Sequence, residues 1–92
     1  MIRHVLNTLG AVASTTYNAL NRAGAASGIN ITKFGQIVGV DALTGKTPVQ
    51  GLQDLLDQAD AVFADDLSKA IGVEVIKGLI FFASLDPAHR FG

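Results

Sequence analysis

Residues 47–63, TPVQGLQDLLDQADAVF, carry the clearest element boundary in this chain. The Thr47 hydroxyl can accept a backbone N–H at a helix start, and Pro48 needs no N–H at the first helical position. Gln50 stands where a capping box places its Glu or Gln. Beyond this start, Leu52, Leu55, Leu56, Ala59, Val62 and Phe63 recur at three- and four-residue steps, which puts them on one face of a helix. Gly51 weakens its first turn slightly. A capped, amphipathic helix at the centre of a short chain points to an all-α fold.

The same period extends to both sides. Residues 2–27, IRHVLNTLGAVASTTYNALNRAGAAS, read as one long amphipathic helix, with Ile2, Val5, Leu6, Leu9, Val12, Ala13, Tyr17, Leu20 and Ala23 on its apolar face. Gly24 and Gly28 supply stop signals. In residues 29–46, INITKFGQIVGVDALTGK, Ile29 and Ile31 alternate as in a strand, whereas Phe34, Ile37 and Val38 suit a helix. A lone short strand would leave unpaired backbone edges. The reading is therefore a short helix after Thr32, then an irregular loop through Gly39, Asp41 and Gly45. Asp65 and Asp66 mark a bend or a new cap before residues 67–85, LSKAIGVEVIKGLIFFASL, and Pro87 stops that helix. The expected architecture is a single helical domain over residues 1–92, a small hairpin or bundle of three main helices plus one short helix.

Hydrophobic residues make up 49% of the chain and charged residues only 16%, against a usual charged share of about 25%. A chain of this size hides only about 60–65% of its unfolded surface. Apolar surface is therefore left over, and it must meet other subunits, a larger complex or lipid. A net charge of −1 gives no long-range field for capturing nucleic acid. The absence of Cys excludes disulfides, thiolate catalysis and Cys-ligated metals.

Residues 39–47, GVDALTGKT, end in the triplet that closes a phosphate-binding P-loop. That loop needs four residues between its first glycine and the Gly-Lys-Thr. Position 40 is Val, Gly39 lies one residue too early, and Pro48 removes a donor from the helix start. The expectation is a loop glycine, a solvated Lys46 and an N-cap Thr47, with no bound nucleotide. His4 and His89 are the only histidines, and no convergent partners are assigned to them. Ser14, Ser27, Ser68 and Ser84 lack a nucleophile-elbow context. No catalytic, cofactor-binding or metal-binding residue is assigned, and no cofactor is expected.

Asp54, Asp57 and Asp60 fall three apart, and residues 47–66 carry five acids and no base. Their order does not match a calcium loop. They form either a solvated helix face or a docking stripe for a basic surface. Arg3, His4, His89 and Arg90 place basic groups at both ends, so neighbouring copies could align head to tail. Residues 70–85 are mostly apolar but contain Glu74 and Lys77, whereas a membrane span needs about 20 apolar residues. This helix is expected between subunits or lying on a bilayer. Gly24-xxx-Gly28 and Gly35-xxx-Gly39 have the spacing that permits close helix approach. At the amino end, Asn7 and Thr8 interrupt the apolar core that a secretory signal would require. Cytoplasmic synthesis is expected, with residence in a particle or complex.

The functional expectation is a non-enzymatic structural or assembly subunit that packs against copies of itself or into a larger complex, such as a virion or phage particle. Leu79, Ile80, Phe81, Phe82 and Phe91 are its candidate apolar anchors, and Asp54, Asp57, Asp60, Arg3 and Arg90 its candidate polar contacts. The alternative is a small membrane-associated accessory protein with the 70–85 helix against lipid.

Overall fold

Four side-chain caps set where the helices of this chain begin. In the computed structural model, which describes residues 8–85, Thr8 accepts from Ala11 N at 3.0 Å and Asn30 from Lys33 N at 3.0 Å. Thr47 and Gln50 close a reciprocal box, with Gln50 N donating to Thr47 Oγ1 at 3.2 Å and Thr47 N to Gln50 Oε1 at 2.9 Å. Asp65 accepts from both Ser68 N, at 2.8 Å, and Ser68 Oγ, at 3.1 Å. Each cap satisfies donors that a helix start leaves open and contributes about 1 kcal/mol. The helices that follow are α1 (Leu9–Arg22), α2 (Ile31–Leu43), α3 (Pro48–Asp57), the one-turn α4 (Ala59–Val62) and α5 (Asp66–Leu85), with a 3₁₀ turn at Ala26–Gly28. Gly24 and Gly45 follow the ends of α1 and α2 at φ +88° and +74°, a left-handed geometry that disfavours side chains. The protein is a small all-α bundle.

Among the described residues, four long helices and one short one stand where three and one were expected. The difference lies mainly in residues 29–46. Asn30 moves the start of α2 ahead of Thr32, and Phe34, Ile37, Val38 and Asp41 then share its buried face as far as Leu43. Gly39 and Asp41, read as loop, are inside this helix.

The helix expected over residues 47–63 is interrupted at Gln58, and Phe63 is extended, at φ −113° and ψ 128°. Phe63 makes an antiparallel bridge with Ile29. Asn30 N donates to Val62 O, and Ala64 N to Gly28 O, both at 2.7 Å. The strand-like character of Ile29 is thus real, but it amounts to one bridge. The first helix is also shorter than expected. Thr8 has extended backbone (φ −135°, ψ 160°), so no single helix runs from Ile2 to Ser27; Ile2, Val5 and Leu6 lie outside the described residues. The buried face of α1 is Leu9, Val12, Thr16 and Leu20, with Tyr17 and Ala23 exposed.

Val12, Leu20, Leu52, Leu55, Val62 and Ile76 have no exposed surface and form the centre of the core, with Phe34, Ile37, Val38 and Phe63 around them. At Gly72 of α5 a Cβ would stand 2.1 Å from Phe63 Cζ. That glycine is where α5 passes over the Phe63 ring.

Candidate interaction surface and the Asp41 cluster

The Gly45-Lys46-Thr47 triplet links α2 to α3, and its lysine turns back on both helices. Lys46 Nζ lies 2.8 Å from Asp54 Oδ2 and 3.7 Å from Asp41 Oδ1. Asp41 is buried, 3% exposed, and its Oδ2 has no hydrogen-bond partner. Burial pushes the Asp41 carboxyl above its ordinary range; the neighbouring Asp54 pushes the same way and Lys46 opposes. The hydrogen bond from Lys46 holds Asp54 below its ordinary range and raises Lys46 itself. Lys46 is exposed, as expected, and it also serves as a counter-ion to two carboxylates, which repel a phosphate. Gly45 makes the turn and Thr47 caps α3, as their sequence context required.

These directions give a pH dependence. The raised Asp41 contributes stability that is complete below its unfolded value of 3.8 and is lost as pH rises through its folded value. Asp54 behaves oppositely, contributing above its unfolded value and losing that contribution as pH falls through its folded one. Asp41→Asn deletes the first effect, and what it changes at Asp54 falls below about pH 4, outside the range compared. Its stability should gain on the wild type as pH rises from about 4 to about 7, measured as urea midpoints. A difference that stays constant across that range counts against this assignment.

Beside the cluster, Lys33, Gln36, Ile37, Val40, Asp41 and Gln58 line a shallow cavity of about 170 Å³. The lining contains no serine, threonine, cysteine or histidine. Among the described residues no three His, Cys, Asp or Glu side chains gather in a way that could hold a metal ion.

The sequence-derived contact residues separate into distinct environments. Asp54 is half-buried against Lys46, Asp60 pairs with Lys69 across the α4–α5 corner, and Asp57 is exposed. The three do not form one free acidic stripe, because two of them meet bases that the turns bring back; the Asp60 hydrogen bond raises Lys69 above its ordinary value. Leu79 and Ile80 are half-buried against the protein's own core. Phe81 and Phe82 are 64% and 53% exposed, their rings edge to face at 6.4 Å. Arg3, Arg90 and Phe91 lie outside the described residues.

A surface of which the sequence showed only the Gly35-xxx-Gly39 spacing runs along α2. Opposite its buried face stand Thr32, Gly35, Gln36, Gly39 and Leu43, flanked by Ile31, Val40 and Ala42, all exposed. Leu43 is 89% exposed, Ile31 58% and Val40 52%. None of these residues is ionisable, whereas a helix facing water normally carries charges opposite its core. Within this helix only Lys33, at one edge, and the buried Asp41 are charged. The signal was available as the charge-free run 34–40, FGQIVGV, but it is legible as a surface only once the segment is known to be helical. On α5, exposed Leu67, Phe81 and Phe82 are accompanied by the Glu74–Lys77 pair, at 3.6 Å. Among the described residues no helix is long and apolar enough to cross a membrane.

No protein-family model, curated protein or solved structure matches this chain.

Proposed function

We propose that this protein is a non-enzymatic assembly module that docks through apolar helix faces to copies of itself or to subunits of a larger complex, of which a virion or phage particle component is one form. The observation that carries this reading is the charge-free outer face of α2. A cluster of exposed apolar side chains marks an interaction site more often than scattered ones do. The glycines add a thermodynamic argument. A glycine inside a helix costs about 0.5–1 kcal/mol relative to alanine, and around Gly35 and Gly39 nothing within 4 Å would obstruct a Cβ. The monomer gains nothing from their bareness; a close-packed neighbour would.

Sedimentation velocity over a concentration series tests the proposal. Mass should rise with concentration, and Leu43→Lys should shift the distribution toward monomer without changing helix content. A strict monomer at every concentration overturns the self-assembly form of the reading. Flotation of the protein with phosphatidylcholine vesicles, with no soluble oligomer, would instead favour docking against lipid.

A further inference from the structure

We infer that Asp41 and Asp54 hold a single proton between them beside Lys46, and that this proton latches the end of α2 to α3. The charges of the cluster balance in that state. One ammonium faces two carboxyls, so the group is neutral when one carboxyl keeps its proton and carries one negative charge when neither does. Solvent offsets little of that charge at Asp41, which is 3% exposed. Lys46 Nζ is within hydrogen-bond distance of Asp54 Oδ2, at 2.8 Å, but stands 3.7 Å from Asp41 Oδ1. Asp41 Oδ2 has no donor. It faces α3 at Gly51, where an added Cβ would lie 3.8 Å from it and would also meet the Leu9 side chain of α1. Leu9 offers no donor, and the Gly51 N–H already goes to Thr47 O at 2.9 Å. A buried carboxylate without its donors is costly when ionised, and taking up a proton relieves that cost.

The surroundings of Asp41 name the group that shares the proton. From α3, Asp54 approaches closely enough for a hydrogen bond between the two carboxyls, and two such acceptors attract only with a proton between them. Lys46 comes from the α2–α3 turn, and α1 presents Leu9. Lys33, two turns earlier on α2, and Gln58, ahead of α4, stand on the wall of the adjoining cavity. Asp60 of α4 is turned to Lys69. Burial and Asp54 both favour the protonated form of Asp41, and Lys46 opposes them. With the proton present, α2 and α3 are tied directly across their seam. Once it leaves, Lys46 must serve two charges. The Asp41 carbonyl, which accepts from Lys46 N at 3.0 Å and Thr44 Oγ1 at 3.3 Å, then loses its anchor. Ionisation of Asp41 therefore loosens the end of α2 and its turn, while the Ile29–Phe63 bridge stays closed. Such local opening leaves the rest of the fold in place.

Carboxyl ¹³C spectra and amide hydrogen exchange of the full chain, recorded across a pH series, test both halves of the inference. At pH 3.8, the ordinary aspartate value, Asp41 should be more than half protonated and Asp54 less than half. Each resonance should respond in both steps of a shared titration. Asp54→Asn should move the Asp41 titration down and Lys46→Met should move it up, a pair of opposite shifts that general loosening of the fold does not produce. The protection factor of the Lys46 amide should fall severalfold as Asp41 ionises, whereas that of the Asn30 amide, in the bridge, should hold. In Asp41→Asn the fall should vanish. An Asp41 that is mostly ionised at pH 3.8, or whose titration Asp54→Asn leaves unmoved, overturns the shared proton. Lys46 protection that does not follow the titration overturns the latch. The wild-type spectra and exchange decide both points even where a variant fails to fold.

Discussion

Gly72→Ala should destabilise the fold by about 3 kcal/mol or more, although the same change at an open helix position stabilises by up to about 1 kcal/mol. The reversal comes from Phe63. The new Cβ would stand 2.1 Å from its Cζ, 2.5 Å from Cε1 and 2.7 Å from Cε2. The ring has nowhere to go, because Phe63 is 4% exposed and the backbone hydrogen bonds of Val62 and Ala64 fix its place. A domain of this length is stable by about 5–14 kcal/mol in total, so this one methyl takes a large share. Phe63→Leu lacks the three colliding atoms and makes the test internal. In that background Gly72→Ala should cost little or become favourable, a coupling that a denaturant double-mutant cycle reads directly. Equal cost in both backgrounds would show that the ring is not the obstacle.

Leu52→Ala should cost about 2–5 kcal/mol, whereas Leu43→Ala should stay within about 0.5 kcal/mol. The two deletions remove the same atoms. Leu52 has no exposed surface, so its loss leaves a void among core side chains, while Leu43 is 89% exposed in the monomer. The comparison also separates folding from docking. Measured at low concentration by urea unfolding, only Leu52→Ala should lower the midpoint; measured at high concentration by sedimentation, Leu43→Ala should weaken association. Loss of monomer stability in Leu43→Ala would mean that this side chain is part of the fold and not of a docking face.

How much of this was legible depends on how local each determinant is. Thr47, Pro48 and Gln50 lie within four residues of one another, and the box they announce forms as read. The Asp65 cap is local too, as is the Gly24 stop. By contrast, the interruption at Gln58 is invisible in a window, since Leu52 and Leu55 before it and Ala59, Val62 and Phe63 after it all keep to the core. Past that break Phe63 turns extended and bridges Ile29, more than thirty positions away. The partners of the acids were hidden for a related reason. Spacing shows that Asp54 and Asp60 are acidic, but only the turns bring Lys46 and Lys69 to them. Asp41 resembled a loop residue because aspartate is rare inside; its burial beside Lys46 depends on α3 packing across α2.

The Ile29–Phe63 bridge also has a topological consequence. Its two hydrogen bonds, Asn30 N to Val62 O and Ala64 N to Gly28 O, bring the two ends of an internal segment together like a clasp. Everything between them, from α2 through α4, is a closed circuit; α1 and α5 lie outside it and pack on one another. Closing such a circuit costs entropy that grows only slowly with its length, but the enclosed segment packs on the outer pair and supplies Phe34, Leu52 and Leu55 to the core. The face we assign to docking rides on the exposed side of that segment. Its contact surface could therefore be recast at those exposed positions, with the clasp and the buried side left intact.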